Sequence, residues 1–214
     1  MKTQDEIIAE LEKIGVVRSG HFVLASGLHS DTFVSKDIIT SHPDLLDDLV
    51  LALIERLNLD TTISPQIVVA PAVGAILWGG LLAMELGARF AYAEKVEGRL
   101  TMQRGFDQLI APGTSVLVAE DIITTGESVS QVIGAVEALG GEIVGVGLIW
   151  LRGQIDLRYP VTALVEQNLV TWSPSECVDC QRGVPITVEY NKHGREFLEE
   201  YGTDPAHWPA NQTS

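Results

Sequence analysis

The sequence is short of basic charge: 14 Lys and Arg stand against 29 Asp and Glu, a formal net charge of −15 over 214 residues. A surface of that sign does not displace the counterions of a nucleic-acid backbone, so nonspecific nucleic-acid binding is excluded as a role. An anionic small molecule is still compatible, provided that the few basic residues converge locally. Long apolar runs are also missing. The longest stretch, Ala70–Met84, is interrupted by Pro71, Gly74, Gly79 and Gly80, which leaves no membrane span. The N-terminal MKTQDEIIAELEK is acidic and amphipathic and lacks the apolar core of a signal peptide, so cytoplasmic residence is expected. Cysteine is nearly absent. Cys177 and Cys180 form a single CxxC, which fits half of a zinc site, a redox pair or two ordinary thiols. His193 is the only histidine close to it in sequence, so a zinc site is expected only if shared between subunits. His21, His29 and His42 are dispersed among Ser and Asp at spacings that suggest no metal site, and His29 reads as a surface residue.

What is present is ordinary globular composition, 46% hydrophobic and 20% charged. The length suits one domain spanning 1–214, with a core at about 60–170. Helical spacing of Ile7, Ile8, Leu11 and Ile14 predicts a short helix stopped by Gly15. Residues 20–37 alternate imperfectly, which suggests short strands and turns. Pro43 with Asp44 opens a helix that runs to about Leu57. From Ile67 onward strands and helices alternate: a strand at Ile67–Ala70, a helix at Val73–Leu86 closed by Gly87, and strands at Arg89–Ala93, Val116–Ala119, Ile143–Ile149 and Val161–Val165. That order implies an α/β fold with a mainly parallel central sheet flanked by helices. The stretch Glu94–Gly113 has no strong periodicity and is expected to be a long functional loop. A last helix is expected at Gly194–Tyr201, followed by a frayed end at Thr203–Ser214.

The most informative stretch is Val116–Ser128, VLVAEDIITTGES. A buried strand ends in two adjacent carboxylates, Glu120 and Asp121. A small hydroxyl-rich loop follows, Thr124, Thr125, Gly126, Glu127 and Ser128, and Val129, Val132, Ile133 and Val136 then recur at helical spacing. Two acids after a strand are commonly solvated turn residues, and a Thr-Thr-Gly turn alone is common. Their joint occurrence as strand, acid pair, hydroxyl-Gly loop and helix start is much rarer. Free N–H groups and the positive end of a helix dipole meet there, which makes an anion site. The carboxylates can accept from sugar hydroxyls, and the small turn Ala70-Pro71-Ala72-Val73-Gly74 can admit a second phosphate close to the main chain. A ribose phosphate carrying a further phosphate or diphosphate fits.

VLVAEDIITTGES resembles the 5-phosphoribosyl 1-diphosphate (PRPP) motif of type I phosphoribosyltransferases. Across about 20–183 the chain is similar, more narrowly, to the orotate phosphoribosyltransferase family. LASGLHSDTF resembles that family's N-terminal hood segment, placing a small hood at about 1–40 that is joined by the C-terminal tail. VVAPAVGA stands where its diphosphate loop stands, EKVEGRLTMQRGF where its catalytic loop stands, and Leu151-Arg152 where a substrate-binding Arg follows a strand. The resemblance implies transfer of the phosphoribosyl group from PRPP to orotate, with Mg²⁺ as cofactor bound mainly through PRPP, in a homodimer. It assigns Glu120 and Asp121 to the ribose hydroxyls, with Asp121 also catalytic, and Thr124, Thr125, Gly126, Glu127 and Ser128 to the 5-phosphate. Pro71 and Ala72 fall to the diphosphate, Lys95 and Arg104 to the catalytic loop, with Lys95 also on PRPP, and Phe33, Thr124 and Arg152 to orotate. The chain departs from the family pattern in its Lys-poor loop without histidine and in Glu127, whose carboxylate tolerates a neighbouring phosphate only if it turns outward. A phosphoribosyltransferase for a purine or other base, and a noncatalytic PRPP-sensing regulator, are the alternatives. The acidic N-terminal helix speaks against the regulator.

Overall fold

In the computed structural model, which describes residues 2–24, 26–57, 64–189 and 191–209, the alternation expected from Ile67 onward forms a six-stranded sheet. The elements run α1 (Gln4–Lys13), β1 (Val17–Val23), β2 (His29–Val34), α2 (Lys36–Ile39), α3 (Pro43–Arg56), β3 (Ile67–Pro71), α4 (Ile76–Glu85), β4 (Arg89–Val96), β5 (Arg99–Met102), β6 (Ser115–Ile123), α5 (Glu127–Ala138), β7 (Glu142–Leu151), β8 (Val161–Glu166), α6 (Val178–Gln181) and α7 (Lys192–Tyr201). They divide into two compact units, Met1–Ala9 with Lys36–Asn168, and Glu10–Ser35 with Leu169–Ser214.

The first unit holds the sheet in the order β5-β4-β3-β6-β7-β8. All neighbours are parallel except the β4–β5 pair. Chain order reverses between β3 and β6: β4 is laid down on one side of β3, and β7 and β8 on the far side of β6. The two strand ends at that switch open a crevice at the carboxyl edge of the sheet, where α/β folds bind ligands. Both faces are buried, so the strands read as apolar runs. Ile67 and Val69 of β3 and Val116 and Val118 of β6 pack with Val129, Val132, Ile133 and Val136 of α5. The alternate residues meet the opposite layer, where α4 comes so close that a Cβ on Gly79 would stand 2.8 Å from Phe90 and 3.0 Å from the Ala70 methyl.

The strand and helix order follows expectation, and three boundaries in this unit do not. The helix expected from Val73 begins at Ile76, because Val73 is 82% exposed and residues 73–75 form a turn. Strand β6 continues through the acid pair to Ile123, since the long apolar β7 offers partners that far: Glu120 pairs with Leu148 and Ile122 with Trp150. The expected loop at 94–113 is in large part a β-hairpin. Val96 pairs with Arg99 across Glu97 and Gly98, both at positive φ (49° and 85°), the two-residue turn that matches strand twist. A 3₁₀ turn at Phe106–Leu109 follows.

In the second unit β1 and β2 form an antiparallel hairpin, and Phe22 stacks on Phe33 at 5.2 Å. Val23, Cys177, Cys180, Ile186, Phe197 and Trp208 make its own small core. Trp208, 1% exposed, donates its indole N–H to the Gly202 carbonyl at 2.9 Å, so the end of the chain is packed through at least that residue rather than frayed from Thr203. The residues from 210 on, and Ala25 of the hood segment, lie outside the described residues. A second correction concerns the histidines. His21 and His29, expected to belong to no metal cluster, are buried side by side with Cys177 and Cys180. Burial pushes the His29 imidazole down to about 4 and the Cys180 thiol up to about 12.

Candidate functional site

Glu120 and Asp121 lie at the end of β6, 5% and 4% exposed. Burial, and after it the neighbouring Asp121, push the Glu120 carboxyl up to about 8. The pair is held locally. The Asp121 N–H donates to Glu120 Oε1 at 3.0 Å, and the Ile122 N–H donates to Asp121 Oδ1 at 2.6 Å. Lys36, at the start of α2, places its ammonium 3.1 Å from Asp121 Oδ2. This lysine was not singled out from the sequence, because 85 positions separate it from Asp121 and nothing local distinguishes it.

The turn after β3 comes to the same point. Ala72 is fixed by its N–H to the Ala93 carbonyl at 2.8 Å. A Cβ on Gly74 would stand 2.4 Å from Asp121 Oδ2 and 2.9 Å from Lys36 Nζ. Only glycine lets this turn lie against the ion pair. The Pro71–Gly74 turn and the acid pair, expected as separate pieces of one site, are therefore in direct contact.

Beyond Ile123, Thr124 and Thr125 are exposed. Gly126 sits at φ 78° as the N-cap of α5, with no side chain capping the helix. Uncapped N–H groups at the start of a 12-residue helix are suited to an anion. A concavity is lined by Glu120 and Ile122 through Val129. The Glu127 carboxylate accepts from Gln131 Nε2 one turn down the helix at 3.2 Å, and Gln131 Oε1 in turn accepts the Leu100 N–H of the edge strand β5 at 2.8 Å.

Arg152 follows β7. Its backbone N–H donates to the Ile123 carbonyl at 2.9 Å, and a Cβ on the next residue, Gly153, would lie 2.9 Å from the Thr124 carbonyl oxygen. The segment therefore packs directly on the phosphate loop. Arg152 Nε is buried with no hydrogen-bond partner among the described residues, and burial lowers the guanidinium pKa. Arg152 as a whole is half-buried, and a buried donor left unused on a cation is costly unless an anion completes it.

The cations of the hairpin are placed differently. Ala93 of β4 pairs with Pro71, so Lys95 projects from strand beyond the end of β3, at the carboxyl edge, and is exposed. Arg104 forks onto Glu94 at 2.7 and 2.9 Å, which holds the Glu94 carboxyl below its usual range. Phe33 lies in the second unit, on β2. Trp78 is a core residue, 1% exposed.

Comparison with known proteins agrees with this geometry. Residues 35–172 match the phosphoribosyl transferase domain. The chain is 39% identical over 185 residues to an orotate phosphoribosyltransferase from Pelotomaculum thermopropionicum, covering 86% of this chain and 95% of that one. It is 37% identical over 177 residues to one from Chlorobium phaeobacteroides, covering 80% and 88%. Among solved structures, orotate phosphoribosyltransferase from Aeropyrum pernix superposes with a TM-score of 0.62 at 22% identity, over 75% of this chain and 93% of that one. Adenine phosphoribosyltransferase from Rhodothermus marinus gives 0.54 at 24% identity, over 74% and 99%. At such identities the structures speak to the fold alone.

Proposed function

The chain belongs to the orotate phosphoribosyltransferase family, and from that premise we propose that it transfers the 5-phosphoribosyl group of PRPP to orotate, yielding orotidine 5′-monophosphate and diphosphate for pyrimidine synthesis. The observation that carries the reading is the meeting of the Glu120–Asp121 pair, the Gly74 turn and the uncapped start of α5 at one switch point. On this reading the carboxylates accept from the ribose 2- and 3-hydroxyls. The 5-phosphate takes the N–H groups and hydroxyls of Thr124–Ser128, with the α5 dipole behind them. Diphosphate lies along Pro71 and Ala72. Arg152 pairs with the orotate carboxylate, planar group to planar group, using the donor that has no partner among the described residues.

The bond from the anomeric carbon to diphosphate breaks as the pyrimidine nitrogen attacks from the opposite face, with positive charge building on the ribose ring. The Asp121 carboxylate favours that charge electrostatically. Lys95 and Arg104 neutralise the departing diphosphate, and Arg104 exchanges Glu94 for it. Closure of the hairpin excludes water from the ribosyl centre. The residues fit a Mg²⁺ cofactor: the Glu120 and Asp121 oxygens are hard donors, set against a turn that only glycine leaves open. Mg²⁺ bound mainly through PRPP adds charge neutralisation at the leaving group. The reading includes a homodimer, as the family resemblance implies, and the cytoplasmic residence expected from the acidic, amphipathic N-terminal sequence. Among the described residues, no helix is long and apolar enough to cross a membrane.

The test is to supply purified protein with PRPP, Mg²⁺ and one base at a time while following orotate absorbance. Loss of orotate absorbance with release of diphosphate is expected. Steady orotate absorbance alongside consumption of adenine or hypoxanthine would overturn the assignment.

A further inference from the structure

Four side chains remote in sequence converge in the second unit. His21 comes from β1, His29 opens β2, and Cys177 and Cys180 flank the first turn of α6. All four are buried, and one donor atom from each lies within 4.8 Å of the others. His21 Nε2 lies 3.0 Å from His29 Nδ1 and 3.4 Å and 3.5 Å from the sulfurs of Cys177 and Cys180, and His29 Nδ1 lies 3.2 Å from Cys180 Sγ. A tetrahedron built on Zn–N near 2.0–2.1 Å and Zn–S near 2.3 Å has edges of about 3.3 Å between nitrogens and about 3.5 Å between nitrogen and sulfur. The His21 Nε2 distances to the two sulfurs match the nitrogen–sulfur edge, and the two distances from His29 Nδ1 fall about 0.3 Å inside their edges.

The hydrogen bonding around the cluster points the same way. His21 Nδ1 lies 2.8 Å from the Val184 carbonyl, an acceptor only, so that nitrogen carries the proton and Nε2 presents its lone pair inward. This is the outer hydrogen bond that orients metal-bound histidines. The main chain clamps the ligands as well. His29 and Trp172 exchange backbone hydrogen bonds at 2.8 and 2.9 Å, and the Thr187 N–H donates to the His21 carbonyl at 2.7 Å. The α6 turn closes with the Val184 N–H on the Asp179 carbonyl at 2.9 Å and Gly183 at φ 65°. Neither cysteine is joined in a disulfide among the described residues.

We propose that His21, His29, Cys177 and Cys180 bind one Zn²⁺ ion in a closed structural site that pins the β1–β2 hairpin to the C-terminal segment. Binding exchanges two thiol protons for two zinc–sulfur bonds, with no change of oxidation state. Four protein ligands leave no open position, so the ion takes no part in catalysis. The site lies within the second unit and stands independently of the reaction proposed for the first.

The full chain, prepared untagged from zinc-replete medium without chelator, is expected to carry one zinc per chain by elemental analysis. The Cys177→Ser/Cys180→Ser variant is expected to carry less than about one tenth of that. Because that variant could fail to fold, the unaltered chain provides the second test. Stripping zinc with a strong chelator should lower Tm, returning Zn²⁺ should restore it, and Co²⁺ in its place should give the visible bands of tetrahedral cobalt with thiolate charge transfer. A metal-free chain whose Tm ignores added Zn²⁺, octahedral cobalt spectra, or full zinc retention in the double variant would each overturn the proposal.

Discussion

Gly74→Ala is the sharpest test of the site geometry, because it adds a single methyl group. The new Cβ would stand 2.4 Å from Asp121 Oδ2, 2.9 Å from Lys36 Nζ and 3.3 Å from Lys36 Cε. The Lys36 side chain is 47% exposed and can swing away, whereas that of Asp121 is 6% exposed and tied to the Ile122 N–H at 2.6 Å. The carboxylate or the turn must therefore move. Overpacking of this kind costs about 1–3 kcal/mol, offset by roughly 0.4–1 kcal/mol from the stiffer unfolded chain. A net loss of about 1–2 kcal/mol lowers Tm by roughly 2–8 °C in a chain of this size. The larger effect is on substrate. Displacing a charge-assisted acceptor forfeits about 1.5–3 kcal/mol, so KM for PRPP should rise roughly 10- to 150-fold while KM for orotate changes little. Gly80→Ala is the control. It lies within α4, a Cβ there meets nothing within 4 Å, and it should stabilise by about 0.5–1 kcal/mol with unchanged kinetics. Thermal melts and initial rates at varied PRPP decide the matter. A Gly74→Ala protein with the parent's Tm and PRPP KM would refute the contact between turn and acid pair.

Two further outcomes follow from buried charge. Arg152→Ala should raise KM for orotate roughly 10- to 150-fold through loss of about 1.5–3 kcal/mol, with PRPP binding nearly intact; an unchanged orotate KM removes Arg152 from the base pocket. Glu120→Gln should bind PRPP less well yet be the more stable protein at alkaline pH. The folded-state pKa of Glu120 is raised, from 4.5 to about 8, so its neutral form suits the fold below the lower value and that stability is lost as pH rises through the upper one. Gln keeps the acceptor for the Asp121 N–H and does not ionise. In urea unfolding the variant's advantage should grow between about pH 5 and pH 8 and then level off. A difference that stays constant over this window would contradict the burial argument.

The sequence was most legible where the chemistry is contiguous. Glu120 to Ser128 reads as a strand end, a loop and a helix start because those signals are local, and the structure keeps them in that order. It was least legible where local pattern and tertiary pairing compete. Val73 carries an apolar side chain at helical spacing yet is exposed in a turn. The 94–113 stretch has no clear period, and its hairpin forms because β4 has a free edge and Glu97-Gly98 accepts positive φ. Glu127 looked unfavourable in the phosphate loop, and Gln131, one helical turn away, donates to its carboxylate.

The amino-acid sequence by itself determined that this is an α/β protein with an acid pair and a hydroxyl-rich loop between one strand and the next helix, since periodicity and loop chemistry act over a few residues. Strand order decided the rest. Placing β3 beside β6 brings Gly74 and Lys36 onto Asp121, and pairing His29 with Trp172 helps bring two cysteines to two histidines. Such meetings depend on which segments become neighbours when the core is buried, and that is a property of the folded chain as a whole.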